Sequence, residues 1–186
     1  MKSSLSGRLP RLWRDNRGIA AIEFALLVPI LIIVLAAVVD FGQAFAANRK
    51  VNQISYKIAD VISQSAEWES SEVSTILTGA KSIILPFETS GLKIVLTIVD
   101  VDKSGKETVA WSLASGATAY AAGQASPVTI PAEIKEKDMQ FVAVEVTYSL
   151  STPFTSLFES VTGRNSYSFD ESYILYPRTG NEISLL

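Results

Sequence analysis

One carboxylate, that of Glu23, lies inside the only long apolar run of this chain. The run extends from Ile19 to Val39, and as a helix it would be about 31 Å long, which is enough to cross a bilayer. A charged group at the centre of a membrane costs about 2.5–3.5 kcal/mol, and less near the membrane surface. A buried carboxylate costs far less when it pairs with a cation, such as an ammonium group. Glu23 is therefore the first candidate for a functional residue.

Other residues offer little for catalysis or for metal binding. The chain has no histidine and no cysteine, which removes the commonest general base, the commonest zinc ligand and any internal disulfide. Asp100–Gly105 begins like a calcium loop, but Trp111 stands where such a loop needs a bidentate glutamate. Asp170 and Glu171 are neighbours in a predicted strand, so their side chains should point to opposite faces. We predict that the protein is not an enzyme and that it carries no cofactor and no metal.

The charges on either side of the apolar run predict its orientation in a membrane. Residues 1–18 have a net charge of +4, and positively charged flanks remain in the cytoplasm. We therefore expect a basic cytoplasmic leader, a single membrane span with the N-terminus inside, and the rest of the chain outside. The side chains after residue 18 have a net charge of −7, so this exterior part should bind no nucleic acid.

Two interpretations of residues 1–46 follow from these features. Ala44-Phe45-Ala46 has the small-x-small form of a signal-peptidase site, so cleavage after Ala46 would release an extracytoplasmic binding module. The apolar run is longer than in most signal peptides and stands apart from this site, which argues against such cleavage. In a plain uncleaved membrane anchor, Glu23 would instead reach the cytoplasmic interface beside Arg17.

A third interpretation comes from a resemblance. Glycine, four apolar residues, glutamate and an aromatic residue, here Gly18 to Phe24, resemble the cleavage motif of type IV prepilins. The longer stretch RGIAAIEFALLVPILIIVLAAVVDFGQAF is similar to the N-terminal signature of TadE-like proteins, which are minor pilins or pseudopilins of tight-adherence pili. The residues that match this signature are Arg17, Gly18, Glu23, Phe24, Pro29, Asp40, Phe41 and Gly42.

This resemblance implies that a prepilin peptidase cleaves after Gly18 and leaves Ile19 as the new N-terminus. Glu23 would pair with the new terminal amine during assembly, and Glu23, Pro29 and Asp40 would serve the packing of the stalk. Pro29 lacks a backbone donor, so we expect a kink or local unwinding there. The implied function is initiation, capping or anchoring of a tight-adherence type IV pilus. Other pilin subunits and the pilus assembly platform would be the partners, at the inner membrane or within the pilus.

Hydrophobic periodicity predicts an α+β fold, with helices first and about four antiparallel strands after them. One helix should continue from about Ile19 to Gln64, apolar all round at first and one-sided later. A second helix is expected over 71–85, with a serine at 70 or 71 as its N-cap and Pro86 after its end. The predicted strands are 92–99, 108–114, 140–148 and 167–176. The helices should cover one face of this sheet and leave the other in water, in a pilin-like arrangement.

The chain is thus divided into four predicted segments. They are a basic leader (1–18), a transmembrane helix (19–41), an amphipathic helical extension (42–66) and a periplasmic α+β domain (67–186). Within the last segment, residues 115–127 are small and polar and predict a loop, whereas 128–138 fit either a short helix or a charged loop.

Overall fold

The computed structural model describes residues 18–157, 159 and 163–186. Residues 1–17, which carry most of the predicted basic leader, lie outside the described part. The chain forms two compact units, Met1–Gly42 and Gln43–Leu186. In the first unit, the described residues are those of an exposed apolar helix; the second unit contains the sheet and its cover.

Helix α1 extends from Ile19 to Ile62 as one continuous helix. The prediction of one long helix is therefore confirmed, with an end two residues before the predicted one. Its second half is one-sided because apolar residues recur every three or four positions. These residues, of which Val51, Ile54, Ile58 and Ile62 are examples, are buried in the second unit.

Helix α2 (Ser70–Ala80) and a 3-10 turn (Lys81–Ile84) occupy the place of the predicted second helix. The predicted serine cap is wrong. The N-cap is Glu69, whose backbone N–H donates to Oε2 of Glu72 at 3.2 Å. A glutamate three residues into the helix therefore satisfies one of the free N–H groups at its start.

Strand β1 (Glu67–Trp68) lies outside the main sheet. The main sheet consists of four antiparallel strands, β2 (Leu92–Val101), β3 (Glu107–Ser115), β4 (Met139–Leu150) and β5 (Tyr167–Leu175). Their order across the sheet is β3-β2-β4-β5. Strand β2 pairs with both β3 and β4, so that Leu96 stands opposite Leu113 on one side and Val144 on the other. The α+β prediction is confirmed, and all four predicted strands are present within one to two residues of their expected limits.

The main core lies between this sheet and the helices. Alternate residues of β2 and β4 point to the helices, because successive side chains of a strand point to opposite faces. The largest fully buried side chains of this core are Tyr148, Ile54, Ile58, Ile62, Leu77, Ile84, Leu92, Ile94, Leu96, Ile98 and Ile183.

The second face of the sheet is partly covered, which differs from the prediction of a wet face. Val99, Phe141 and Ala143 point to this face and form a smaller core with Val128 and Ile130. The segment 128–138 contains no strand and no α-helix; it lies over one end of the sheet as a loop. The reason is that β2 and β4 carry apolar residues on both faces at that end, and such strands need a second cover.

The C-terminal segment closes the second unit in a way that the sequence did not predict. Strand β6 (Ser184–Leu185) pairs in parallel with β1, and Ile183 before it is 1% exposed. The backbone N–H of Ile183 donates to Oε1 of Gln140 at 2.7 Å. Nε1 of Trp111 donates to the Ile183 carbonyl at 2.8 Å. A short helix, α3 (Pro153–Leu157), lies between β4 and β5 in the chain.

Candidate functional site

The predicted processing residues lie together at the first turn and a half of α1. Gly18 directly precedes the helix, and a Cβ added to it would meet no atom of the described residues within 4 Å. Its backbone does not adopt the left-handed conformation that favours glycine. Packing among the described residues therefore gives no reason for a glycine at this position.

Ile19 and Glu23 share one face of the helix because residues four apart are neighbours on a helix surface. Both side chains are exposed, and so is that of Phe24, at 66%. A carboxylate at residue 23 is therefore within reach of a group at the backbone nitrogen end of the helix. The same carboxylate is also open to a group on a second helix.

The rest of the run forms an apolar surface without a cover in the first unit. Thirteen of its large apolar side chains, from Ile19 to Val39, are 50–69% exposed. Within the described residues, α1 is the one helix that is long and apolar enough to cross a membrane. These features are compatible with a membrane anchor.

Pro29 and Asp40 lie further along α1 than the predicted processing residues. The backbone keeps its α-helical conformation at Pro29, so the local unwinding expected from the sequence is not present. Asp40 is seventeen residues after Glu23, roughly 25 Å along the helix, and it is buried, with 3% of its surface exposed. Asp40 is therefore separate in space from Glu23, and the roles of Pro29 and Asp40 in stalk packing stay predictions.

The calcium-like stretch is a hairpin turn. Oδ1 of Asp102 accepts hydrogen bonds from the backbone N–H groups of Ser104 (2.8 Å) and Lys106 (2.9 Å) and from the Ser104 hydroxyl (2.6 Å). These bonds, first among them that from the Ser104 side chain, lower the pKa of the Asp102 carboxyl. The carboxylate thus stabilises the turn between β2 and β3 through the chain's own donors.

Asp170 and Glu171 have different partners on the two faces of β5. Oε1 of Glu171 accepts a hydrogen bond from Nδ2 of Asn52 on α1 at 2.9 Å, whereas Oδ2 of Asp170 accepts one from the Ser168 hydroxyl at 3.1 Å. The two carboxyl groups therefore do not form a general acid–base pair. Among residues 18–157, 159 and 163–186, no group of three or more acidic, histidine or cysteine residues could hold a metal ion.

Two exposed tyrosines beside Glu171 were not identified from the sequence. Tyr56 of α1 and Tyr173 of β5 meet edge to face, with ring centroids 5.3 Å apart, and both remain exposed. The sequence did contain one indication of this pair, because Tyr56 is an aromatic residue on the polar side of an amphipathic helix. Its partner in β5 is more than a hundred positions away, so the pair could not be recognised from the sequence.

Comparison with known families supports the resemblance seen in the sequence. The family model described as TadE-like protein matches residues 18–60. The predicted resemblance to TadE-like proteins is confirmed over these residues, which include all the described positions of the signature. No curated protein and no solved structure shows a significant match. The pilin-like character of the sheet domain therefore stays a prediction.

Proposed function

We propose that this chain is a minor pilin or pseudopilin that acts in the initiation, capping or anchoring of a tight-adherence type IV pilus. The TadE-like match over residues 18–60 supports an association of the chain with such a pilus. The observation that carries the finer proposal is the position of Glu23. It is the one carboxylate between Ile19 and Val39, and it stands four residues after the proposed new terminus. The chain would act by assembly rather than by catalysis.

The exposed apolar surface of α1 supports an assembly role. Thirteen large apolar side chains between Ile19 and Val39 are at least half exposed. Removing them from water would release about 1–2 kcal/mol each, so on the order of 20 kcal/mol is available from lipid or from neighbouring stalks. This energy holds the stalk in apolar surroundings but does not select its position there.

Glu23 would determine the position of the stalk relative to its neighbours. Cleavage after Gly18 creates an ammonium group at Ile19, which is costly to bury alone. A carboxylate of the same chain or of a neighbouring chain offsets this cost when the two groups pair. When the pair forms between neighbouring chains, a one-residue slip between stalks would separate the charges, so the pair would fix the register of the stalks.

Release of the domain by a signal peptidase fits the structure less well. Cleavage after Ala46 would make Ala47 the new N-terminus, and Ala47 is 0% exposed. The new ammonium group would lie in a packed core, where a charge without a partner is strongly unfavourable. The domain would also lose Ala44, which is 8% exposed.

The N-terminus of the mature protein tests the proposal. Intact-mass and N-terminal peptide analysis of protein from piliated cells should find Ile19 as the first residue, with a methylated amine in some molecules. Ala47 would support the secreted module, and Met1 would support the plain anchor. Deletion of the prepilin peptidase should shift the terminus back to Met1; a terminus at Ile19 in that strain would contradict the proposal.

Substitution of Glu23 tests the assembly step apart from cleavage. We expect Glu23→Ala to insert in the membrane in normal amounts and to abolish piliation, because an unpaired ammonium would remain at Ile19. Glu23→Asp, which keeps the charge, should retain part of the pilus yield and serves as the matched control. Piliation is measured by shearing pili from cells, and attachment by surface binding. Wild-type pilus numbers in the alanine variant would refute a role of Glu23 in assembly.

A further inference from the structure

Strand β5 forms one edge of the main sheet, because β4 is its one neighbour among the described strands. The pairing covers all nine residues of β5 without a shift in register. The opposite edge, strand β3, is covered by the loop 121–126, whose Gln124 carbonyl accepts a bond from the Val109 N–H at 2.9 Å. Within the described residues, no such backbone bond reaches the outer edge of β5. One edge of the sheet is therefore closed by the chain itself, and the other is open.

The hydrogen-bond pattern identifies the residues of β5 whose backbone groups point to the open edge. The N–H of Ser149 donates to the Gly91 carbonyl on the side of β2, so Ser149 turns its backbone groups away from β5. These directions alternate along an antiparallel strand, so Val146 turns its groups to β5 and bonds with its partner Glu171. The residues of β5 that alternate with Glu171 point their N–H and C=O groups outward, and these are Ser168, Asp170, Ser172 and Ile174.

A strand edge with free backbone groups is a template for an added strand. Proteins often protect such edges with proline, with lysine or with a bulge. Strand β5 contains no proline, lysine or arginine, and its register with β4 has no bulge. The charged residues that it does carry are Asp170 and Glu171, and both are acidic. The edge is therefore open to pairing, and its charge favours a basic strand.

A shallow hollow with a volume of about 180 Å³ lies beside this edge, between β4 and β5. Val146 belongs to the main core, so the side chains on either side of it in β4 point to the opposite face of the sheet. On that face, the hollow is lined by Glu145, Thr147, Asp170 and Ser172, and we call it the acidic hollow. Glu145 and Asp170 stand diagonally across the two strands, so both can contact one long cationic side chain.

The two carboxylates of the acidic hollow have no cationic partner in the described part of the chain, since none of its salt bridges includes them. Oε2 of Glu145 is buried there without a hydrogen-bond partner, which is a costly arrangement. The neighbouring Tyr120 is neutral, because burial and then the charge of Glu145 raise the pKa of its hydroxyl. Asp170 accepts a bond from the neutral Ser168 hydroxyl. Lys93 shares this face but stands two strands from Asp170, at about 10 Å.

Glu171 lies on the other face of the sheet and has neighbours there. Nδ2 of Asn52 donates to its carboxylate at 2.9 Å. Arg49 is three residues before Asn52 and lies on the same flank of α1. The selection of a basic strand therefore depends on Glu145 and Asp170, not on Glu171.

A second copy of this chain does not fit the open edge. No lysine or arginine occurs from Ser166 to Pro177, so a second β5 would bring no cation to the acidic hollow. Antiparallel pairing of two β5 strands would instead bring the acidic residues of both copies together, which is unfavourable. Strand β3 of a second copy is covered by its own loop. The basic residues 1–17 are predicted to stay on the cytoplasmic side of the membrane.

We propose that a strand of a different polypeptide pairs with the outer edge of β5 and places a lysine or arginine in the acidic hollow. A residue directly opposite Ser172 shares a face with Glu145 and Asp170. Because Ser172 is small, a long basic side chain passes over it toward Glu145. Backbone bonds hold the added strand, and the hollow selects its side chain. The contact concerns the second unit alone and does not depend on the proposed function.

Peptide binding to the full-length chain in a neutral detergent tests the proposal. The probe is a fluorescent peptide as long as β5, with alternating threonine and valine and one central arginine. A second peptide has glutamate in place of the arginine. Fluorescence anisotropy should show that the arginine peptide binds about tenfold more tightly, since opposite charges attract across paired strands and like charges repel.

Substitutions in the chain separate the edge from the hollow. Glu145→Gln with Asp170→Asn should remove the preference and leave the two peptides with equal affinities. The matched control, Glu136→Gln with Glu182→Gln, removes the same charge from exposed positions outside the hollow and should keep the preference. Ser172→Pro removes an outward N–H and keeps the bonds to β4, so it should abolish the binding of both peptides.

Other outcomes overturn the proposal. Equal affinities of the two peptides for the unsubstituted chain, or loss of the preference in the control pair, would show that the hollow does not select a cation. Full binding by a folded Ser172→Pro variant would show that the peptide binds elsewhere, and no binding at millimolar peptide would exclude the edge. Tryptophan fluorescence verifies folding, and if the proline variant unfolds, the charge variants decide. A dimer of the free chain that Ser172→Pro dissociates would identify a second copy as the occupant.

Discussion

The buried side chain of Ile183 should hold the C-terminal segment in place, and its truncation gives a sharp test of the fold. Ile183 is 1% exposed, whereas Leu186, three residues later, is 72% exposed. Both are apolar residues of one segment. Ile183→Ala keeps the two backbone hydrogen bonds to Gln140 and Trp111, so the substitution changes side-chain burial alone.

The expected magnitude follows from burial. Truncating a fully buried isoleucine to alanine lowers the free energy of unfolding by about 2–5 kcal/mol, since both transfer energy and packing are lost. For a unit of the size of Gln43–Leu186, this corresponds to about 5–15 °C in the unfolding temperature. Leu186→Ala should change the free energy of unfolding by less than about 0.5 kcal/mol, because its side chain is already in water.

Tryptophan fluorescence of the full-length chain in mild detergent provides the assay. The indole of Trp111 donates to the Ile183 carbonyl, and that of Trp68 donates to the Ile62 carbonyl at 3.0 Å. Both indoles therefore report on the region that the segment closes. Equal effects of the two substitutions, or a change below 0.5 kcal/mol for Ile183→Ala, would refute the reasoning that this segment is part of the core.

Two further predictions concern a buried phenol and a glycine. Burial first, and then the charge of Glu88, raises the pKa of the Tyr148 hydroxyl above its usual value of 10.0. The stabilisation from the buried Tyr148 hydroxyl is therefore present below pH 10 and is lost as the pH rises above that value, since the phenol ionises more readily in the unfolded chain. Denaturant titrations of Tyr148→Phe should show a smaller loss of unfolding free energy at alkaline pH than those of the unsubstituted protein. Gly116→Ala should destabilise the fold by more than about 1 kcal/mol, because φ is +77° and the new Cβ would lie 2.7 Å from the Leu92 carbonyl oxygen. The matched control Gly123→Ala, with φ +83° and no atom within 4 Å, carries the backbone strain without the clash, so thermal unfolding should rank it as the milder variant.

Elements with a strong local period could be predicted from the sequence. The apolar run and the one-sided pattern after it give α1, and alternation in β2, β4 and β5 gives the strands. The candidate site is local as well, because Gly18, Glu23 and the apolar helix that carries them are contiguous. The seven residues from Gly18 to Phe24 suffice to define the motif, and they lie within the family match.

Features that join distant parts of the chain could not be predicted in this way. Ile130 covers the second face of the sheet and Ile183 enters the main core, yet each lies in a segment without a clear period. The N-cap of α2 also depends on which neighbouring side chain bonds to the free N–H groups at the start of the helix. Here the N–H of the N-cap, Glu69, donates to the Glu72 carboxylate.

The sequence by itself determined the membrane-compatible helix, its lone carboxylate and the order of helices before strands, because each depends on residues within a few turns or along one strand. Tertiary structure alone decided how the C-terminal segment closes the core and how Tyr56 comes to meet Tyr173. It also decided that Asn52 of α1 donates a hydrogen bond to Glu171 of β5. The physical reason is that such contacts follow from the packing of a whole sheet on a helix, and packing brings together residues whose spacing in the chain carries no pattern.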